Sequence, residues 1–431
     1  MAKVTFIGAG SVVFASRLLC DIVSHPELRE STVSLMDINA ERLGLIDKLA
    51  RLTVAKYAPK AKVEFTLDRR QALKDADYVV IMIQVGGLEA FEKDIYIPLK
   101  YGVNQEVGDT LGPGGVFRGL RTIPVLLEIC NDMEELCPDA LLINYANPMA
   151  INCWAMNKAT KIRNVGLCHS VQGTAMQLAG YIGVPFEDVS YWVAGINHQA
   201  FFLEYKYRGE DAYPLLWGAM KKKEVYERDR IRFEMMKYLG YFITESSHHL
   251  GEYVPYFRTT EEKRKEYCEP RWFYLDVCKN AWKPHYEHIE KQIRGEEPIR
   301  IERSHEYGVD IIHSKEIGTP CRINGNVENT DLITNLPKGS CVEVPCLVDK
   351  NGVHPCMVGD LPPQCAALNR TNINVQELAV KAALEKDRGA ALQAVMFDPL
   401  TSALLAPREI EKMVDEMIKA EAQWLPFEKK D

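Results

Sequence analysis

Hydrophobic residues first fall in a short run, Val4-Thr5-Phe6-Ile7. After Gly8-Ala9-Gly10-Ser11 they recur at helical spacing, at Val12, Val13, Leu18, Leu19, Ile22 and Val23, until His25-Pro26 stops the pattern. This predicts a strand, a tight glycine turn and a helix N-terminus. Further strands are predicted over 33–36, ending at Asp37, over 63–66, over 78–83, leading to Gln84-Val85-Gly86-Gly87, and over 141–145, running into Ala146-Asn147-Pro148. Helices fall between them: one opened by Asp68 with Gln71 three residues on, which has the form of a capping box, and one over 123–136. A short apolar stretch, 165–167, ends at Cys168.

Strands that alternate with helices build a parallel, doubly wound sheet. We therefore expect an α/β protein with an N-terminal Rossmann-type domain over residues 1–190. Beyond it, the strand-like runs 189–193 and 200–207 are broken at Gly195-Ile196-Asn197-His198. From Asn374 two long helical patterns follow, through Leu378, Ala379, Ala382 and Ala383, then through Ile410, Met413, Val414, Met417 and Ile418. A C-terminal mixed α/β domain over 191–431 follows, carrying substrate and metal, in an arrangement like that of lactate and malate dehydrogenases. No Pro/Gly/Ser linker or repeat marks the boundary.

Composition narrows the function classes. The 431 residues are 47% hydrophobic, and the net charge of −8 is spread over interleaved acids and bases. No basic stripe is present to hold nucleic acid, and no polybasic patch to hold an anionic membrane. Lys3 and the apolar run behind it superficially resemble a secretory signal, but the glycines interrupt it and a first strand is expected instead. No apolar run approaches the roughly 18 residues of a membrane span. The twelve cysteines lack CxxC pairs and read as free thiols in a reducing cytoplasm.

In a doubly wound sheet, ligands bind beyond the carboxyl ends of the strands, and Gly8, Asp37, Gln84, Asn147 and Cys168 all fall there. Gly8, Gly10 and Ser11 form a shortened glycine fingerprint, with Val13 where a third glycine usually stands. The two glycines let backbone N–H groups approach a pyrophosphate, and the helix dipole favours its charge. Asp37 lies where an acid binds the ribose of NAD, in preference to NADP; it is also placed to cap the next helix. Cys168 and His198 offer a thiolate and an imidazole, a zinc-like donor pair, with coordination positions left for substrate and water. The glycine-rich stretch from Leu111 to Gly119 lacks the Gly-Lys-Ser/Thr of a phosphate clamp. It is expected as a surface turn or as a lid over the cofactor, with Asp109 available for sugar hydroxyls. His248 and His249 are expected as solvated or sugar-contacting residues.

Taken together, Gly8-Ala9-Gly10-Ser11, Ile97-Pro98-Leu99-Lys100-Tyr101-Gly102, the Gly-Pro-Gly-Gly stretch, Asn144-Tyr145-Ala146-Asn147-Pro148, Cys168-His169-Ser170-Val171, Gly195-Ile196-Asn197-His198 and Cys341-Val342-Glu343-Val344-Pro345-Cys346 resemble family 4 of the glycoside hydrolases. The ordered set spans most of the chain. Cys-His-Ser-Val is similar to the α-galactosidase, or melibiase, branch, whereas branches acting on phosphorylated glucosides resemble Cys-Asp-Met-Pro or Cys-Asn-x-Pro. Phe91 stands where those branches carry a phosphate-binding arginine.

The resemblance implies hydrolysis of α-galactosides such as melibiose without the usual carboxylate pair. NAD⁺ oxidises C3, a base takes the acidified proton from C2, the C1 group leaves, water adds, and hydride returns. It further implies Mn²⁺ or another divalent ion on Cys168 and His198, Asn147 against substrate or nicotinamide, and His169 as leaving-group acid or as an orienting residue. Tyr238 or Tyr241 is implied as base, and a homodimer or homotetramer as the assembly. Two near alternatives are an α-glucosidase and an α-uronidase. More distant ones are an NAD-dependent hydroxyacid or polyol dehydrogenase, and an NAD-sensing regulator.

Overall fold

A computed structural model describes residues 1–270 and 272–427. Twelve strands are present among them: β1 (Lys3–Ile7), β2 (Thr32–Met36), β3 (Lys62–Thr66), β4 (Tyr78–Ile81), β5 (Leu141–Asn144), β6 (Asn164–Gly166), β7 (Val189–Ile196), β8 (Gln199–Tyr207), β9 (Glu210–Asp211), β10 (Cys321–Glu328), β11 (Cys341–Asp349) and β12 (Gly352–Pro355). All belong to one sheet, in the order β3-β2-β1-β4-β5-β6-β10-β11-β7-β8-β9, with β12 beside β11. The first six are parallel, and their order reverses between β1 and β4. That switch point opens a crevice at the carboxyl edge, where such folds bind ligands.

From β6 onward the pairing is antiparallel. The sheet is continuous because β10 and β11, more than 150 residues beyond β6 in the chain, insert between β6 and β7. One apolar core runs from Ala2 to Phe427, and a smaller one gathers Val171, Phe202, Tyr205, Phe233 and Phe242 beneath the β7–β8 hairpin.

The stretch from Leu111 to Gly119 corrects the expected surface turn or lid. It opens a buried helix, Gly112–Leu136, that starts eleven residues before the expected 123. Small residues here serve close packing: a Cβ on Gly114 would lie 2.5 Å from the Gly108 carbonyl oxygen, and one on Gly115 would lie 2.4 Å from the Thr110 carbonyl carbon. Arg121 anchors the same helix. Its guanidinium, fully buried, donates to both Asp94 oxygens at 2.9 and 2.5 Å and to Glu421 at 2.9 Å, tying in the C-terminal helix Pro407–Glu421. Among the described residues, no helix is long and apolar enough to cross a membrane.

Candidate active site

The glycine turn after β1 leaves no room for a side chain. Gly8 has φ +91°, and a Cβ there would lie 2.8 Å from the Met82 carbonyl oxygen. A Cβ on Gly10 would lie 2.8 Å from Asp37 Oδ2. Asp37 instead accepts hydrogen bonds from the Gly10 N–H at 2.7 Å and the Asn39 N–H at 2.8 Å. The alternative role of Asp37 as helix cap is corrected: Asn39 caps the helix Ala40–Tyr57, accepting from the Arg42 N–H. Ser11 precedes the helix Val12–Ser24, whose N-terminus carries no side-chain cap. Its first amides have no intrahelical partner and face the crevice as donors. A bare helix N-terminus, a turn that excludes Cβ atoms and an acid beside it together fit a dinucleotide. Gln84, exposed, follows β4 and donates to the Gly87 carbonyl at 3.3 Å.

Four elements bring a second cluster together. Leu167 N–H bonds the Asn144 carbonyl, extending β6, and Cys168 follows immediately before the helix Ser170–Ile182. β7 and β8 pair as far as Ile196 and Gln199, so Asn197-His198 is a two-residue hairpin turn. Within it His198 takes the left-handed backbone, with φ +62°. The Cys168 Sγ and His198 Nε2 lie 3.3 Å apart.

Residues 242–244 run beside β8: Phe202 N–H bonds the Phe242 carbonyl and Thr244 N–H the Ala200 carbonyl. They deliver Glu245, also left-handed at φ +75°, with its carboxylate 3.8 Å from His198 Nε2. Ser246 then caps the helix Ser247–Tyr253. His249 on that helix packs edge-on against His198, centroids 4.6 Å apart, with Nδ1 2.9 Å from Ser246 Oγ and 3.5 Å from Glu245. The expectation of a solvated His249 is thereby corrected. His248 turns to the other side, onto Glu106 at 2.6 Å and against the Trp272 ring.

The electrostatics match a cation in this cluster. One ligand atom from each of Cys168, His198 and Glu245 lies within 4.8 Å of the others. Burial, with the Glu245 and Glu343 carboxylates nearby, pushes the Cys168 thiol well above its ordinary range. The part-buried Glu245 carboxyl is nonetheless lowered to about 2 by His249, His198, His169 and Arg232. Burial, with the Glu245 carboxylate nearby, pushes Glu343, on β11 opposite Gly195, up to about 8. Its Oε2 and the Nδ1 of His198 are buried without hydrogen-bond partners. An ionised carboxylate at Glu245 beside a thiol and a Glu343 carboxyl that burial holds protonated is a donor set that a divalent cation would complete by ionising the thiol.

Asn147 and Asp109 meet on the rim between the two clusters. Asn147 Nδ2 donates to Asp109 Oδ2 at 3.0 Å, and Arg118 donates to the Asn147 carbonyl at 3.2 Å. Asp109 Oδ1 is buried and unpartnered. The Arg118 guanidinium sits 5.8 Å over the ring of Phe91, which is fully buried. His169 is exposed, with Nδ1 3.7 Å from the buried Glu306.

The two tyrosines stand apart. Tyr238 is 74% exposed. Tyr241 lines a surface depression with Leu203, Tyr213, Trp217 and Gln364, which includes none of Cys168, His198 or Glu245. The sequence pattern does not mark Glu245, Glu306 or Glu343 as site residues, although Glu343 falls in the motif at 341–346 and Glu245 lies seven residues after Tyr238.

Residues 3–184 match the Family 4 glycosyl hydrolase family, and residues 193–401 its C-terminal domain. The chain is 42% identical to an alpha-galactosidase of Bacillus subtilis (strain 168) over 430 residues, covering 99% of each. Its fold is that of a 6-phospho-alpha-glucosidase from gut microorganisms in complex with NAD and Mn²⁺, at TM-score 0.85 and 23% identity, covering 99% of this chain and 100% of that one. It also shares the arrangement of malate dehydrogenase from Plasmodium falciparum, at TM-score 0.52 and 13% identity, covering 89% and 99%. The expected dehydrogenase-like architecture and the expected family therefore both hold, and the chain belongs to family 4 of the glycoside hydrolases.

Proposed function

We propose that this glycoside hydrolase is an α-galactosidase acting on α-galactosides such as melibiose, with NAD⁺ and a divalent cation such as Mn²⁺. The observation that carries the reading is the 3.3 Å approach of Cys168 Sγ to His198 Nε2 at the carboxyl edge of the sheet. The alpha-galactosidase relative, 42% identical, supports the choice of sugar. So does Phe91, which is uncharged where phosphoglucosidase branches carry an arginine.

Gly8, Gly10, Ser11 and Asp37 would hold the nucleotide, and Cys168, His198 and Glu245 the cation. When bound, these groups would supply a reversible hydride acceptor and a Lewis acid for sugar oxygens. Asp109 offers its free oxygen to a sugar hydroxyl, while Asn147 fixes its other oxygen. His169, held by Glu306, donates a proton to the departing oxygen. The proton at C2 falls to His249. Burial pushes its imidazole down to about 4, so it is a free base at neutral pH inside the cluster, whereas Tyr238 and Tyr241 lie outside it.

We place the division between nucleotide and substrate parts near residue 190, and the enzyme in the cytoplasm as a homodimer or homotetramer. Twelve free cysteines support the location. The test is a panel of aryl glycosides with NAD⁺ and Mn²⁺ present. Cleavage of the α-galactoside above the α-glucoside and α-galacturonide supports the reading, and net NADH accumulation without cleavage overturns it in favour of a dehydrogenase.

A further inference from the structure

A second group of metal-binding side chains lies at the far end of the helix Val12–Ser24 from the glycine turn. His25 ends that helix, Glu27 sits in the short turn Pro26–Leu28, and His313 comes from the helix Tyr307–Ile317. The two imidazoles stack with centroids 4.2 Å apart and planes 27° from parallel. His313 Nε2 is 3.3 Å from the Glu27 carboxylate, and His25 Nε2 is 3.9 Å from Asp310 Oδ1. Asp310 also accepts from Arg303.

His25 is 92% buried by its 8% exposure, and its Nε2 has no hydrogen-bond partner. An orphaned buried imidazole nitrogen is costly unless something accepts its lone pair or its proton. Two imidazoles stacked this closely cannot comfortably share two positive charges, so a ring nitrogen is left with its lone pair. One ligand atom from each of His25, Glu27 and His313 already lies within 4.8 Å of the others. Ligands about 2.1 Å from a tetrahedral ion stand roughly 3.4 Å apart and each imidazole lone pair lies in its ring plane, so closure requires a contraction of up to about 1.4 Å and a turn of His313, the more exposed ring, out of the stack. Glu27, with 45% of its side chain exposed, is free to follow.

We propose that His25, Glu27 and His313, with Asp310 at their edge, form a second divalent-metal site of the zinc type, separate from the cluster at Cys168. Two imidazoles with carboxylates are the donor set such ions prefer. A bound ion would pin the end of the first Rossmann helix to the helix whose opposite end begins beside Glu306.

Bound zinc per chain, measured by equilibrium dialysis on the full protein, tests the site. Zinc taken up at Cys168 is common to all variants and cancels. Wild type is expected to bind one equivalent more than H313A at micromolar free zinc, while both hydrolyse glycosides equally with NAD⁺ and Mn²⁺. E27Q, at an exposed position, is expected to fold normally, to weaken that extra equivalent by about tenfold or more and to lose the rise in Tm that zinc gives wild type. Equal zinc in wild type and H313A overturns the site. If H313A does not fold, unchanged zinc affinity in E27Q overturns it.

Discussion

His198 and Glu245 both hold left-handed backbone, at φ +62° and +75°, and their side chains meet at 3.8 Å. Such conformations cost roughly 1–3 kcal/mol for a residue with a Cβ and persist where the surrounding structure enforces them. Here the hairpin closed by Ile196 and Gln199 enforces one. The other is held by the Thr174 hydroxyl, which accepts from the Glu245 N–H at 3.1 Å, and by Arg232, which donates to its carbonyl at 2.7 Å. Glu245→Gln keeps this backbone and removes the charge. Its Mn²⁺ affinity should fall about 10- to 100-fold, with NAD⁺ affinity unchanged. Calorimetric titration of each ligand checks both.

Gly10→Ala addresses the other half of the crevice. The added Cβ would lie 2.8 Å from Asp37 Oδ2 and must displace the carboxylate from the Gly10 N–H. NAD⁺ affinity should fall by about tenfold or more, an energy on the order of one lost charge-assisted hydrogen bond. Metal affinity should not change. Nucleotide fluorescence and metal titration separate the two.

His249→Gln should leave nucleotide and metal affinity within a factor of a few and lower kcat by about 10²- to 10⁴-fold, the usual contribution of a general base. Exchange of the sugar C2 hydrogen with deuterated solvent should stop in the variant. Wild-type exchange rates in His249→Gln would remove His249 from this role.

The metal-free protein should lose stability on both sides of a mid-acidic maximum. His249 has its folded value near 4, below the ordinary 6.5, so its contribution is complete above about 6.5 and is lost as pH falls through 4. Glu343 has its folded value near 8, above the ordinary 4.5. Its contribution is complete below about 4.5 and is lost as pH rises through 8. Glu343→Gln should therefore flatten the alkaline limb. Urea unfolding from pH 4 to 9 in chelator measures both limbs.

Arg121→Met should destabilise the fold by about 3–5 kcal/mol, because it strands the buried carboxylates of Asp94 and Glu421. Urea midpoints of the variant and of the triple neutral replacement, Arg121→Met with Asp94→Asn and Glu421→Gln, separate lost pairing from lost packing.

The parallel half of the sheet was legible because each of its strands is local: Gly8, Asp37 and Cys168 follow strand ends that period and glycine turns mark directly. The helix at Gly112 was not, since glycine is a poor helix former and its value here lies in contacts with Asp94, Gly108 and Thr110, which only the tertiary fold supplies. The insertion of β10 and β11 beside β6 is likewise a long-range pairing with no local trace. Glu245 was hidden for a related reason. Its backbone conformation is set by Thr174 and Arg232, and nothing in its immediate sequence distinguishes it from a solvated acid.

The central claim is that Cys168 and His198 serve one hydrolytic site that depends on both nucleotide and cation. The direct measurement is hydrolysis of an aryl α-galactoside by protein stripped of nucleotide and metal, then resupplied with each alone and with both. The account predicts turnover only when NAD⁺ and Mn²⁺ are present together, without net NADH, and its loss in Cys168→Ser. Full turnover by the stripped protein would contradict it.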